Sequence, residues 1–277
     1  AAYNLQLKDL KDVERYAISG TLKSGDGSSE VHLNPENLVL NYEPWQVAAE
    51  NLLRFGTNGI YANKFELSKS GSSILVQSES EKANAPINVN FKDFKIETIS
   101  SIVEKSDLQI SGNINGDANI KNLKGDPNFT SDLNIADFAF KKDTVGTIEI
   151  HVDNNIANTY TAKVGITGQG NQLDLNGTYG ALDSKLNMNL DVAKLNLKSV
   201  QGFTLGNLQE STGFIDGKLK ITGKASQPQI IGNLKFNDVG FNVTPLKATF
   251  KELNDNIAFN AQGIRFCLLY TSDAADE

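Results

Sequence analysis

From Lys185 to Leu197 apolar side chains recur at Leu186, Met188, Leu190 and Val192, then at Leu195 and Leu197 after a one-residue slip. Asn187, Asn189, Asp191 and Asn196 stand between them. A period of two is that of a β-strand with one apolar and one wet face. The pattern recurs at Val164 and Ile166, Leu173 and Leu175, Leu219 and Ile221, and Leu234 and Phe236, and with a shift at Val145, Ile148 and Ile150. Turn signals separate the runs: Gly25-Asp26-Gly27, Asn58-Gly59, Gly168-Gln169-Gly170 and Asn176-Gly177. Asn115-Gly116 and Asp216-Gly217 suit either a turn or a bulge in a continuing strand. The chain therefore predicts as all-β and mostly antiparallel. Two stretches depart from alternation. Lys95 to Lys105 sets Ile96, Ile99, Ile102 and Val103 on one side of a short amphipathic helix. Lys198 to Glu210 does so more loosely with Val200, Phe203, Leu205 and Leu208, weakened by Gly202 and Gly206. Trp45 to Leu53 suits a helix or a loop equally.

Each helical stretch precedes a similar segment. SDLQISGNINGDANIKNLKGDPNFTSDLNIADFAF ends at Phe140, and STGFIDGKLKITGKASQPQIIGNLKFNDVGFNV ends at Val243. Pro127 and Pro228, Leu133 and Leu234, Asp137 and Asp238, and Phe140 and Phe241 are all 101 residues apart. The leading glycine, Gly112 or Gly217, stands at unequal distances from its proline. Asn51, Leu52, Phe55 and Gly59-Ile60 resemble Asn256, Ile257, Phe259 and Gly263-Ile264 at about twice that separation. This predicts repeats of about 100 residues, roughly 96–196 and a truncated 197–266, within one β segment over 1–266. The last eleven residues, CLLYTSDAADE from Cys267 to Glu277, break the style of the chain. They resemble a translated sequencing adapter, so 267–277 is expected to be a non-native, disordered tail.

Composition narrows the chemistry. Lys and Arg number 26 against 33 Asp and Glu, a net charge of −7. No basic cluster marks a nucleic-acid face, so no nucleic-acid partner is expected. Cys267 is the only cysteine, which leaves 1–266 without a disulfide framework or a thiolate metal site. No apolar run is long enough for a membrane-spanning helix, and Ala1-Ala2-Tyr3-Asn4 carries no initiator or signal pattern, as expected of an interior piece of a longer protein. His32 and His151 each sit in an alternating strand, more in keeping with a solvent face than with a general base. There is no nucleophile elbow, zinc-binding helix motif or phosphate loop. Asp117, Asp126 and Asp132 flank turns without calcium-loop spacing. No catalytic residue, metal site or cofactor is expected, and the protein is predicted not to be an enzyme.

Function is then expected to lie in the apolar side of the strands. About twenty strands at ~4.8 Å spacing make a ribbon on the order of 100 Å long, and its apolar side needs cover. A two-sheet sandwich, a membrane barrel, or a sheet curled into a groove lined by lipid chains would each supply it. Few aromatics at strand ends disfavour the barrel, and a repeat near 100 residues favours the groove over the sandwich. Candidate groove-lining residues are Val164, Ile166, Leu173, Leu175, Leu186, Met188, Leu190, Leu219, Ile221, Leu234 and Phe236, with ordinary core packing as the alternative for each.

The run Gly213-Phe214-Ile215-Asp216-Gly217-Lys218-Leu219-Lys220-Ile221-Thr222-Gly223, followed by Gln227-Pro228 and Ile231-Gly232-Asn233-Leu234-Lys235-Phe236, resembles the TamB family. Asp238 to Val243 and Asn256 to Phe259 fit it too. Leu38 to Phe55 resembles a Bacteroidetes-type version. The resemblance covers most of 1–266, through short and degenerate motifs. It implies an elongated curled β-groove, a β-taco, of the AsmA-like and bridge-like lipid-transfer proteins. It further implies a Gram-negative periplasmic protein, anchored in the inner membrane by a helix outside this fragment and meeting an outer-membrane barrel of the TamA/BamA class. The implied role is to carry phospholipid acyl chains between the membranes, or to support translocation and assembly of outer-membrane proteins such as autotransporters. Two other roles fit the pattern: a chaperone-like scaffold that pairs with nascent strands, and a repetitive surface adhesin.

Overall fold

The computed structural model describes residues 1–25, 27–57, 59–98, 109–124, 128–156 and 158–266. The tail over 267–277 and most of the helix expected over Lys95–Lys105 lie outside them; residues 96–98 are helical. The chain divides into two compact units, one of Ala1–Ala136 with Ile150–Asn154 and the other of Asp137–Glu149 with Asn155–Glu277.

The first unit holds β1 (Ala2–Lys8), β2 (Glu14–Gly25), β3 (Ser28–Leu33), β4 (Leu38–Leu40), β5 (Glu43–Val47), β6 (Leu52–Gly56), β7 (Gly59–Asn63), β8 (Phe65–Lys69), β9 (Ser72–Ser78), β10 (Ile87–Lys95) and β11 (Ile110–Lys121). The strand β5 pairs with β4 on one side and β8 on the other. It thereby joins the set β1 to β4 with β6 and β7 to the run β8 to β11. Alternation on both sets points apolar side chains to a common core of Leu38, Trp45, Val47 and Phe94. Ile18, Leu33 and Leu40 pack on it from the first set, and Leu67, Ile74 and Phe91 from the second. Trp45, in a stretch whose pattern suited helix or loop, is a strand residue 5% exposed, with its ring 6.1 Å from that of Phe94.

Side chains also close the free edge of β7. The amides of Ile60, Ala62 and Lys64 donate to Asn84 Oδ1, Ser78 Oγ and Gln77 Oε1 at 3.1, 3.0 and 2.6 Å. These three side chains take the acceptor places of a further strand and so block edge-to-edge pairing. The turn between β1 and β2 is held by Asp9, whose Oδ1 accepts from the amides of Val13 and Lys11 at 3.0 and 2.8 Å. These bonds, that from Val13 first, hold the Asp9 carboxyl below the usual carboxylate range. A depressed carboxyl stabilises the turn above its ordinary pKa and loses that contribution as pH falls through the lowered value. Acid titration followed by amide NMR should therefore move the Lys11 and Val13 signals with Asp9; signals that stay fixed would remove the carboxylate from the turn.

β12 (Asn128–Phe140) and β13 (Asp143–Ile156) contain the boundary. The second unit continues with β14 (Thr159–Gly168), β15 (Asn171–Gly180), β16 (Lys185–Asn196), β17 (Leu208–Lys224), β18 (Gln227–Val243), β19 (Ala248–Leu253), β20 (Asn256–Asn260) and β21 (Gly263–Phe266). Neighbours from β14 to β18 pair antiparallel in sequence order, and β18 then pairs with β19 along one stretch and β20 along another. The helix expected over Lys198–Glu210 shrinks to α1 (Leu197–Val200) and a 3₁₀ turn (Gln201–Thr204), with Leu208 already in β17. Asn171, 5% exposed, ties this turn to the sheet. Its Nδ2 donates to Val145 O and Ser199 Oγ at 2.7 and 2.8 Å, and its Oδ1 accepts from Asn196 N at 2.7 Å.

Positions 101 residues apart share backbone detail. Asp137 and Asp238 are both left-handed, at φ 52° and 48°. A Cβ on Gly116 would lie 2.0 Å from Asp132 O, and one on Gly217 2.2 Å from Asn233 O. Gly116, not Gly112, therefore stands in the place of Gly217. Asn51 and Asn256 differ, the first fully buried and the second exposed.

The curled groove expected from the sequence is corrected. In each unit the sheet is open and antiparallel, neither closed nor strongly curled. The β-taco architecture falls with it, and so does membership of the TamB and AsmA-like families, whose hallmark is that curl. The physical reason is that a two-residue period reports which face is apolar and is blind to how far the sheet bends.

Candidate functional site

The strands of the second unit are in a register that stacks their apolar positions into rows. One row crosses Val164, Leu175, Leu190, Leu219, Gly232 and Phe259. The next crosses Ile166, Leu173, Val192, Gly217, Leu234 and Ile257. A third runs through Ala162, Gly177, Met188, Ile221 and Ile230, and a fourth through Tyr160, Tyr179, Leu186 and Gly223. Phe236 faces Ile215, which faces Leu195 across the other edge of β17. All eleven residues singled out in the sequence thus share one face of one sheet, and all eleven are half-buried.

Sequence reasoning missed Ile230 and Phe259 as members of these rows. Glycine and proline interrupt alternation around Ile230, and β20 is too short to show a clear period. Val192 and Ile257, in the second row, are buried at 4% and 6% exposure. The opposite face carries Lys163, Asp174, Asn176, Asn189, Lys218, Lys220 and Lys235, all exposed. Lys218 Nζ reaches Asp191 Oδ2 there at 2.5 Å. Every charged side chain of these strand segments is on that side, and the apolar rows hold none.

The face can bind apolar surface and offers no catalytic group. Cross-strand rows of Leu, Ile and Val hold their methyl groups at fixed spacing, so an apolar partner would gain about 25 cal/mol per Å² covered. The lipid-conduit function expected from the resemblance is corrected here. An acyl chain on an open sheet meets protein on one side only, and there is no curled apolar groove to carry it.

Two other places could hold chemistry. His151 Nδ1 lies 2.5 Å from Asp132 Oδ1, and its Nε2 is 3.8 Å from Asp153 Oδ2. His32 Nε2 is 2.8 Å from Ala49 O, a structural contact. These histidine contacts are to a carbonyl and to carboxylates, none of them a Ser, Thr or Cys nucleophile, and among the described residues no group of three His, Cys, Asp or Glu side chains could hold a metal ion. In the first unit a recess of about 330 Å³ is lined by Trp45, Glu43, Lys69, Asp93, Lys95 and Asn113. The Trp45 indole nitrogen has no hydrogen-bond partner but is sealed from solvent, and Lys69 is paired with Glu43. The recess carries no net charge, since Lys69 and Lys95 match Glu43 and Asp93. No described helix is long and apolar enough to cross a membrane. Comparison of the chain with protein-family models, with curated proteins and with solved structures finds no match.

Proposed function

We propose that the chain is a non-enzymatic β-sheet interaction module, and that its working surface is the apolar face of the second unit. The observation that carries this is the in-register set of uncharged rows, mostly half-buried on one side of the sheet while the charge of these segments is kept to the other. Apolar patches beyond a few hundred Å² mark interaction surfaces on folded proteins. A periplasmic, cell-envelope setting accompanies this reading. Residues 1–266 carry no cysteine, so the fold is indifferent to an oxidising compartment. Attachment to an inner membrane would require chain outside the described residues.

Site-directed labelling tests the surface. In a Cys267→Ser background, Leu190→Cys reports the apolar face and Asn189→Cys the polar one. At high dilution the two should react with a maleimide within about tenfold of each other, because a side chain open to solvent needs no local unfolding to react. A Leu190→Cys thiol slower by about a thousandfold or more in the monomeric chain would show a face sealed within the chain and overturn the proposal.

A further inference from the structure

We infer that the occupant of this face is a second copy of the same chain, packed face to face across a two-fold axis. The inference rests on the interaction surface just proposed. Its first support is area. Six strands spaced at ~4.8 Å, β14 to β18 contributing about seven residues each at ~3.4 Å and β20 its 5, span on the order of 600 Å². Two such faces together remove about 1,200 Å², the lower bound for a specific, stable interface. A single acyl chain covers a small part of that area.

Charge is the second support. The molecule carries −7, and two copies repel if acidic surfaces meet. The rows from Val164 to Phe259 and from Ile166 to Ile257 contain no ionisable side chain, whereas Asp174, Asp191, Lys218 and Lys220 all point the other way. A self-complementary contact therefore desolvates no charge and opposes no like pair, which an isologous interface requires.

Shape is the third. The rows mix large side chains with glycines, Leu219 beside Gly232 and Leu234 beside Gly217. Such ridges and hollows let a copy rotated by a half-turn interdigitate at the ~10 Å separation of packed sheets.

The test is sedimentation velocity of the full chain across a concentration series, with Leu190 labelling in the Cys267→Ser background run in parallel. A monomer–dimer equilibrium is expected, with the Leu190→Cys thiol protected as dimer forms and the Asn189→Cys thiol unaffected. Leu190→Lys combined with Leu219→Lys, neighbours across β16 and β17, should weaken the dimer by at least about a hundredfold, since two charges from each copy would be buried unpaired. Met188→Lys serves as a second, milder variant, Asn189→Lys as the polar-face control, and circular dichroism checks folding in each. A wild-type chain that stays monomeric to about 100 μM, far above typical specific dissociation constants, overturns the inference. A dimer untouched by all three apolar-face substitutions overturns it too, as does a face filled by co-purifying lipid. If no dimer forms but Leu190→Cys reacts quickly throughout, self-pairing fails while the interaction surface stands. A thiol slow at every dilution in a chain that sediments as a monomer removes both.

Discussion

Gly217→Ala is expected to destabilise the protein by about 3 kcal/mol, a fall in melting temperature of roughly 6–12 °C. Gly217 sits in β17 at φ +139°, where a side chain is strained whatever the space. Its absent Cβ would lie 2.2 Å from Asn233 O and 2.8 Å from Leu234 Cα on the neighbouring strand. Both contacts are backbone, so relief requires β17 and β18 to part in the middle of their ladder. Two glycines separate the strain from the collision. Gly71, at φ +85° with nothing within 4 Å of its Cβ, should lose only about 1 kcal/mol on change to alanine. Gly25, with open space and no positive φ, should be neutral or slightly stabilised. Thermal melts followed by circular dichroism give the order. A Gly217→Ala protein no less stable than Gly25→Ala would show that the strands do not approach as described. Gly116→Ala should match Gly217→Ala, because its Cβ would meet Asp132 O at 2.0 Å.

That glycine marks where the sequence became hard to read. Strands were legible wherever side chains alternate, as over Lys185–Asn196, because burial of one face imposes the period directly. The eleven candidate residues share a face for the same reason. Curl was not legible, since a flat and a curled sheet present the same alternation. Neither were the bulges at Asp93 and Asp238, although Asn115-Gly116 and Asp216-Gly217 allowed for strands that continue, as β11 and β17 do. Asp93 and Asp238 take left-handed φ inside strands, and each exchanges two hydrogen bonds with an asparagine. Asp93 N donates to Asn115 Oδ1 at 2.9 Å and receives Asn115 Nδ2 on Oδ1 at 3.0 Å. Asp238 does the same with Asn254 at 2.9 and 2.8 Å. An asparagine amide presents a donor and an acceptor side by side, as a peptide does, so it fills the gap in the ladder. Local propensity reads such Asp and Asn residues as turns. Only the partner residue, 16 to 22 positions away in these pairs, shows otherwise. The core of the first unit was missed because Trp45 and Phe94 come together through β5, whose pairings on both sides depend on long-range register.

Asn51 carries the second large effect, through the same mimicry in the interior. It has no solvent exposure, its Oδ1 accepts from Leu33 N at 2.8 Å, and its Nδ2 donates to Leu33 O and Ala48 O at 2.8 and 2.7 Å. One side chain thereby completes the outer edge of Leu33 and closes the turn between β5 and β6. Asn51→Leu keeps the volume and removes all three bonds. Ala48 O retains Asn51 N at 3.1 Å, but the amide and carbonyl bonds that Asn51 supplied to Leu33 are lost. At about 1–3 kcal/mol for each buried group left unpaired, the loss should be about 3–5 kcal/mol. Asn51→Asp sharpens the test, since it keeps the acceptor for Leu33 N and loses the donor. Its carboxylate would face two carbonyl oxygens without water, so the folded state must raise its pKa. A raised carboxyl leaves the variant most stable below the ordinary aspartate value of about 3.9 and less stable as pH rises through the shifted one. That sign is opposite to the one expected for Asp9. Urea midpoints relative to wild type between about pH 3 and 8, within the range where carboxyl linkage acts, read it directly. A difference that does not change with pH, together with a loss under about 1 kcal/mol for Asn51→Leu, would mean that water or backbone rearrangement satisfies Leu33, and that the buried amide is not what joins these strands.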